Sequence, residues 1–178
     1  ALDIPVFLSS LMQIPFMHAL CGGSVGVITA NASRLTPRHF AACNVPDGIS
    51  LAIAGMEDQT EFRQAILEEK GTLDSAEIER EVTRVARRLV EEHPHVRSIL
   101  LECSDLPPYA HAVQAATGRP VFDFITMINY VQQSIARRPY AGSMCRGQLR
   151  PGEQPCLSIN IICLDARGCV SAVWPWAQ

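Results

Sequence analysis

A chain of 178 residues suits one domain, or one and part of another, and 48% hydrophobic with 19% charged residues describes a globular protein able to bury a real core. A net charge of -3, with no basic stripe carrying interleaved aromatics, argues against nucleic acid as a partner. The charge-free stretch between Asp3 and Arg34 is interrupted by Pro5, Gln13, Pro15, Gly22 and Gly23, so it reads as a buried helix and strand and not as a membrane span.

Residues 4–8 are strand-like, and Ser9 and Ser10 begin a helix. The chain opens with Ala directly on that strand, from which we expect preceding sequence. Residues 25–29 form the next strand, and Thr36-Pro37 opens a helix with Thr as N-cap and Pro at the first helical position. A strand over 49–54 leads into a helical region over 59–93, broken near Gly71. Its second half starts at Asp74, with Glu77 three residues on as in a capping box. Ile78, Val82, Val85, Leu89 and Val90 then repeat at helical spacing, and the charges between them, Glu81 included, read as a solvated face. Ile99, Leu100 and Leu101 make a short buried strand followed by Glu102, Cys103, Ser104 and Asp105. A helix to about Ala115, a turn over 117–120, a strand over 121–124 and a helix over 126–136 complete the body. Beyond Arg137 the chain turns rich in Gly, Pro and Cys, with one further strand expected over 157–164. Strands alternating with helices imply an α/β fold, a parallel sheet flanked by helices in the flavodoxin style.

In such sheets ligands gather at the carboxyl ends of the strands, where Cys103 stands. Ser9, Ser10, Thr29, Asn31 and Ser33 reach the same rim from other strand ends, and Ser104 and Asp105 follow the thiol there. Hydroxyls, amides and helix N-terminal N–H groups suit a small carboxylate. Of the seven cysteines, Cys21 and Cys43 lie at helix ends and read as structural. Cys145, Cys156, Cys163 and Cys169 crowd the tail without a C-x-x-C knuckle, so no metal is expected. No secretory signal is visible, and reduced thiols point to the cytoplasm.

Residues 25–39, Leu101 to Tyr109 and Thr117 to Asp123 resemble, in order and spacing, the aspartate/glutamate racemase superfamily, which includes hydantoin racemases. The resemblance implies two similar α/β lobes with a cysteine from each facing opposite sides of a substrate α-carbon, without any cofactor or metal. Cys103 matches the second of these cysteines, with Thr29, Asn31, Ser33, Ser104 and Asp105, and Ser9 and Ser10 beside them, expected to bind substrate. A thiolate base acting on a weakly acidic α-proton requires a lowered pKa. The first cysteine finds no counterpart, so 1–23 read as a strand and crossover helix from a mostly missing first lobe and 24–116 as the central lobe. By the same resemblance 117–140 return to the first lobe, while composition makes 141–178 an irregular Cys-rich tail. The expected function is a racemase-like isomerase working next to a carboxylate. The alternatives are a non-catalytic relative binding small carboxylates, or a single-cysteine decarboxylase or cis–trans isomerase. The expected partner is a small carboxylate or amino acid, with no membrane contact, and a homodimer fits because such lobes often pair.

Overall fold

The computed structural model describes residues 9–137 and the backbones of two further strands at 159–164 and 170–176. The strand expected at 4–8 and Cys145, Cys156 and Cys169 lie outside the described residues. The chain divides into two compact units, Ala1–Ala136 and Arg137–Gln178.

In the first unit β1 (Ser24–Thr29), β2 (Leu51–Gly55), β3 (Val96–Leu101) and β4 (Val121–Phe122) form one sheet. Its order is β2-β1-β3-β4, with every neighbouring pair parallel. Parallel neighbours cannot be joined by hairpins, so helices run between the strands, with one more before β1 and another after β4. These are α1 (Ile14–Cys21), α2 (Pro37–Ala42), α3 (Thr60–Phe62), α4 (Ser75–Glu92), α5 (Ala110–Thr117) and α6 (Phe124–Ile135). The expected α/β class, with its flavodoxin-like strand order, is what the chain adopts.

Side chains alternate along the strands and feed two cores. Ile28, Ile99 and Leu101 join Phe62, Ile78, Val82, Val85, Leu89 and Val113 on the α4/α5 face. Val25, Val27 and Leu100 join Leu11, Ile14, Met17 and Val45 on the opposite face. Gly26 permits this packing, since a Cβ there would stand 3.0 Å from Leu89 Cδ2.

Asp74 caps α4 as expected, its Oδ1 accepting from Ala76 N and Glu77 N at 3.0 Å. The reciprocal half of the box is taken by another residue. Asp74 N–H donates to Glu61 Oε1 at 2.8 Å, while Glu77 pairs with Arg80 at 2.6 Å.

One expectation for α4 is overturned. Glu81 is not on the solvated face but 2% exposed, and it accepts from Glu61 N and Phe62 N at 2.9 Å each. The carboxylate satisfies the open N–H groups where α3 begins, which is why a charge is tolerated inside.

Of the charge-free stretch, β1 is buried on both faces, whereas α1 is buried on one side alone. Ile14 and Met17 are inside, whereas Phe16 is 53% and Leu20 64% exposed. Phe16 stacks on Tyr130 of α6 with ring centroids 6.2 Å apart. Among the described residues no helix is long and apolar enough to cross a membrane. In the second unit β5 (Ile159–Leu164) and β6 (Val170–Trp176) pair antiparallel, Ile161 opposite Trp174.

Candidate functional site

The direction in which strands are added reverses between β1 and β3, and in open α/β sheets ligands bind beyond the carboxyl ends at that point. A cleft of about 300 Å³ lies there, lined by Ser9, Ala30, Glu102, Cys103, Ser104 and Phe124. Phe124 is set in the first turn of α6, whose N-cap Asp123 accepts from Thr126 N at 2.7 Å. Gln13 Nε2 fixes this corner by donating to Asp123 O at 2.9 Å.

Glu102 is a residue the sequence reading passed over. Its N–H donates to Ile28 O at 2.8 Å, carrying the sheet one residue past β3. Thr29 Oγ1 donates to Glu102 Oε2 at 2.9 Å, and Ser9 Oγ donates to Oε1 at 3.5 Å. Ser10 Oγ donates to the Glu102 carbonyl at 3.3 Å. The signal in the sequence was alternation: Leu100 faces α1, so the carboxylate two residues on points to the same side, as Thr29 does on β1.

Cys103 turns the other way and packs partly against the α4/α5 core. Its Sγ–H donates to Asp105 Oδ2 at 3.5 Å. Burial pushes the thiol up from 9.0 to about 11; the Asp105 backbone N–H opposes this, while the carboxylates of Asp105 and Glu102 add to it. The racemase resemblance asks for a lowered thiol, and the folded chain supplies a raised one. Loss of water around Sγ disfavours the thiolate, so at neutral pH the group carries its proton.

The remaining candidates are placed differently. Ser104 and Asp105 are exposed beside the thiol. Ser9 lines the cleft and caps the following turn, its Oγ accepting from Leu11 N at 3.1 Å. Thr29 and Ser10 are buried, their hydroxyls committed to Glu102. Ser33 Oγ donates to Asn31 Oδ1 at 2.6 Å on the loop after β1, and neither residue lines the cleft. Ala32 N–H in that loop donates instead to Glu57, at 3.1 Å to Oε1. Cys21 ends α1 and Cys43 caps the end of α2, which places both at the opposite edge of the sheet. Among the described residues no group of three or more His, Cys, Asp or Glu side chains could hold a metal ion. A second depression, of about 370 Å³, lies between α4 and α5; its Arg80 is tied to Glu77 and no thiol reaches it.

No protein-family model matches the chain. Among solved structures it is similar to unliganded arylmalonate decarboxylase, at 17% identity and a TM-score of 0.45, over 64% of this chain and 46% of that one. Among curated proteins it is 33% identical over 144 residues to a dimethylsulfoniopropionate lyase of Durusdinium sp. clade D, covering 78% of this chain and 47% of the relative. Dimethylsulfoniopropionate lyase 3 of Emiliania huxleyi (strain CCMP1516) is 35% identical over 148 residues, covering 78% of this chain and 38% of the relative. The chain thus spans less than half the length of these relatives.

Proposed function

We propose that this chain carries the proton-handling site of a cofactor-independent lyase, whose substrate is a small carboxylate with a leaving group on its β-carbon. The observation that supports this best is the Cys103 thiol in a cleft at the point where the strand order reverses. As a thiolate, Cys103 takes the proton from the carbon next to the carboxylate. The C–H electron pair becomes the C=C bond, and the bond from the β-carbon to sulfur breaks with its pair passing to sulfur. A sulfonium then departs as a neutral thioether, and no acid is needed to protonate it.

Such a substrate also brings a positive charge to the thiol. An opposite charge within about 4–6 Å lowers the cost of ionising an acid by roughly 1–3 pKa units. A sulfonium beside Sγ therefore offsets the burial that holds the thiol near 11. Ser9 and Ser104 stand on the cleft wall to meet the substrate carboxylate, and Asp105 holds the thiol proton between turnovers. Ser10 and Thr29 act by fixing Glu102, while Asn31 and Ser33 shape the neighbouring loop. Racemisation would need a group on each face of the α-carbon, and among the described residues no second thiol lines this cleft.

The protonated thiol favours one second reading, decarboxylation of a substituted malonate. Carbon dioxide leaves, its bonding pair stays on the α-carbon, and Cys103 gives its proton to one face before solvent restores it. The two readings separate on one plate. Purified chain is given dimethylsulfoniopropionate or a phenylmalonate, and released dimethyl sulfide or carbon dioxide is measured. Dimethyl sulfide release that falls by about 100-fold or more in Cys103→Ala is expected. Undiminished turnover in that variant, or α-deuterium exchange of amino acids in place of elimination, would remove the assignment.

A further inference from the structure

The cleft presents a fixed negative charge beside an aromatic wall. The Glu102 carboxylate receives one hydroxyl on each oxygen, from Thr29 at 2.9 Å and Ser9 at 3.5 Å. A carboxylate offers about four acceptor sites, so both oxygens keep room for a ligand. Among the described residues no Lys or Arg lines the cleft, and Glu102 joins no ion pair.

A purely structural role does not account for this choice of residue. Gln in that place would accept from Thr29 with its oxygen and donate to the Ser9 hydroxyl with its Nε2, so holding the two hydroxyls requires no charge. The charge has a further cost, because it disfavours ionisation of the neighbouring thiol. That cost reverses when a cation sits between the two groups, since both are then stabilised by it. Phe124 lines the same cleft, and an aromatic ring is the kind of group that receives methylated onium groups.

We propose that Glu102 is the specificity residue of the cleft, holding the positively charged end of a zwitterionic onium carboxylate against Phe124. This inference rests on the lyase reading of the same site. It assigns substrate choice to Glu102 and proton transfer to Cys103, so the two residues are separable by experiment.

The test uses the full chain, with binding measured by calorimetry for two ligands of the same shape, every titration in a Cys103→Ala background so that substrate is bound but not turned over, and wild type referring to position 102. These are dimethylsulfoniopropionate and 4-methylpentanoate, in which a neutral CH replaces the sulfonium. Wild type is expected to prefer the onium by about tenfold or more. Glu102→Gln, checked for native circular dichroism, is expected to bind both ligands alike, with 4-methylpentanoate unchanged. Glu102→Asp, which keeps the charge, is expected to retain part of the preference. A Gln variant with the wild-type preference, or one that loses both ligands equally, overturns the Glu102 role while leaving the Cys103 reading in place. Wild type that binds neither ligand overturns both.

Discussion

The raised Cys103 thiol has a consequence that can be measured without any substrate. Burial is the largest cause, followed by opposed contributions from the Asp105 backbone and carboxylate, and together they place the thiol at about 11 against an ordinary 9.0. Each unit of displacement is a tenfold change in thiolate fraction. At pH 8 a thiol at about 11 is ionised to roughly one part in a thousand, against roughly one in ten at 9.0. Iodoacetamide reacts with the thiolate alone, so Cys103 should alkylate about 100-fold more slowly than an unperturbed cysteine. Its rate should still be climbing at pH 10. Peptide mapping by mass spectrometry separates Cys103 from Cys21 and Cys43. In Asp105→Asn the two upward effects of the carboxylate vanish, so the rate profile should move to lower pH, though burial still holds the midpoint above 9.0. A wild-type midpoint at or below 8 would refute the reasoning, because no arrangement of a desolvated thiol between two carboxylates predicts it. Saturating dimethylsulfoniopropionate should shift the profile downward if the cation sits where we place it.

Two stability measurements probe the scaffold that positions the cleft. Glu81→Ala leaves the N–H groups of Glu61 and Phe62 without their acceptor in a site 2% exposed, and thermal unfolding should register a loss of about 2–4 kcal/mol; Glu81→Gln, which keeps one acceptor oxygen, should lose less. Gly55→Ala drives a methyl into the Glu57 carboxylate and to 2.7 Å from Ala32 N. Glu57 must then release Ala32, at a cost of about 1–3 kcal/mol, and an unchanged melting temperature would count against the packing described for the loop after β1.

Much of this scaffold was legible in the amino-acid order because its signals are local. Pro37 after Thr36 fixes the start of α2, and the Ile78, Val82, Val85, Leu89 spacing defines the buried stripe of α4. Gly71, with φ at 86°, breaks the helical region where expected. What escaped depends on partners distant in sequence. Glu81 falls three residues after Ile78 and four before Val85, so it shares their side of the helix, yet its burial makes sense only once α3 lays its N-terminus against it. His39 likewise closes the start of α2 by accepting from Thr36 N–H at 3.0 Å, a role that periodicity does not reveal. Glu102 was hidden by its neighbour: the thiol drew attention as a reactive group, while the carboxylate acquires meaning from Thr29 and Ser9, 73 and 93 positions away. Strand ends pointed to the rim but not to its charge, since the sign and solvation of a site come from packing across the sheet.

The carboxylate of Glu102 is anchored at its root, not its tip alone. Its amide is bonded into the sheet at Ile28 and its carbonyl is gripped by Ser10. The position of that carboxylate is thus set during folding, before any ligand arrives. On the reading proposed above, it is the cationic end of a ligand that this preset carboxylate sorts.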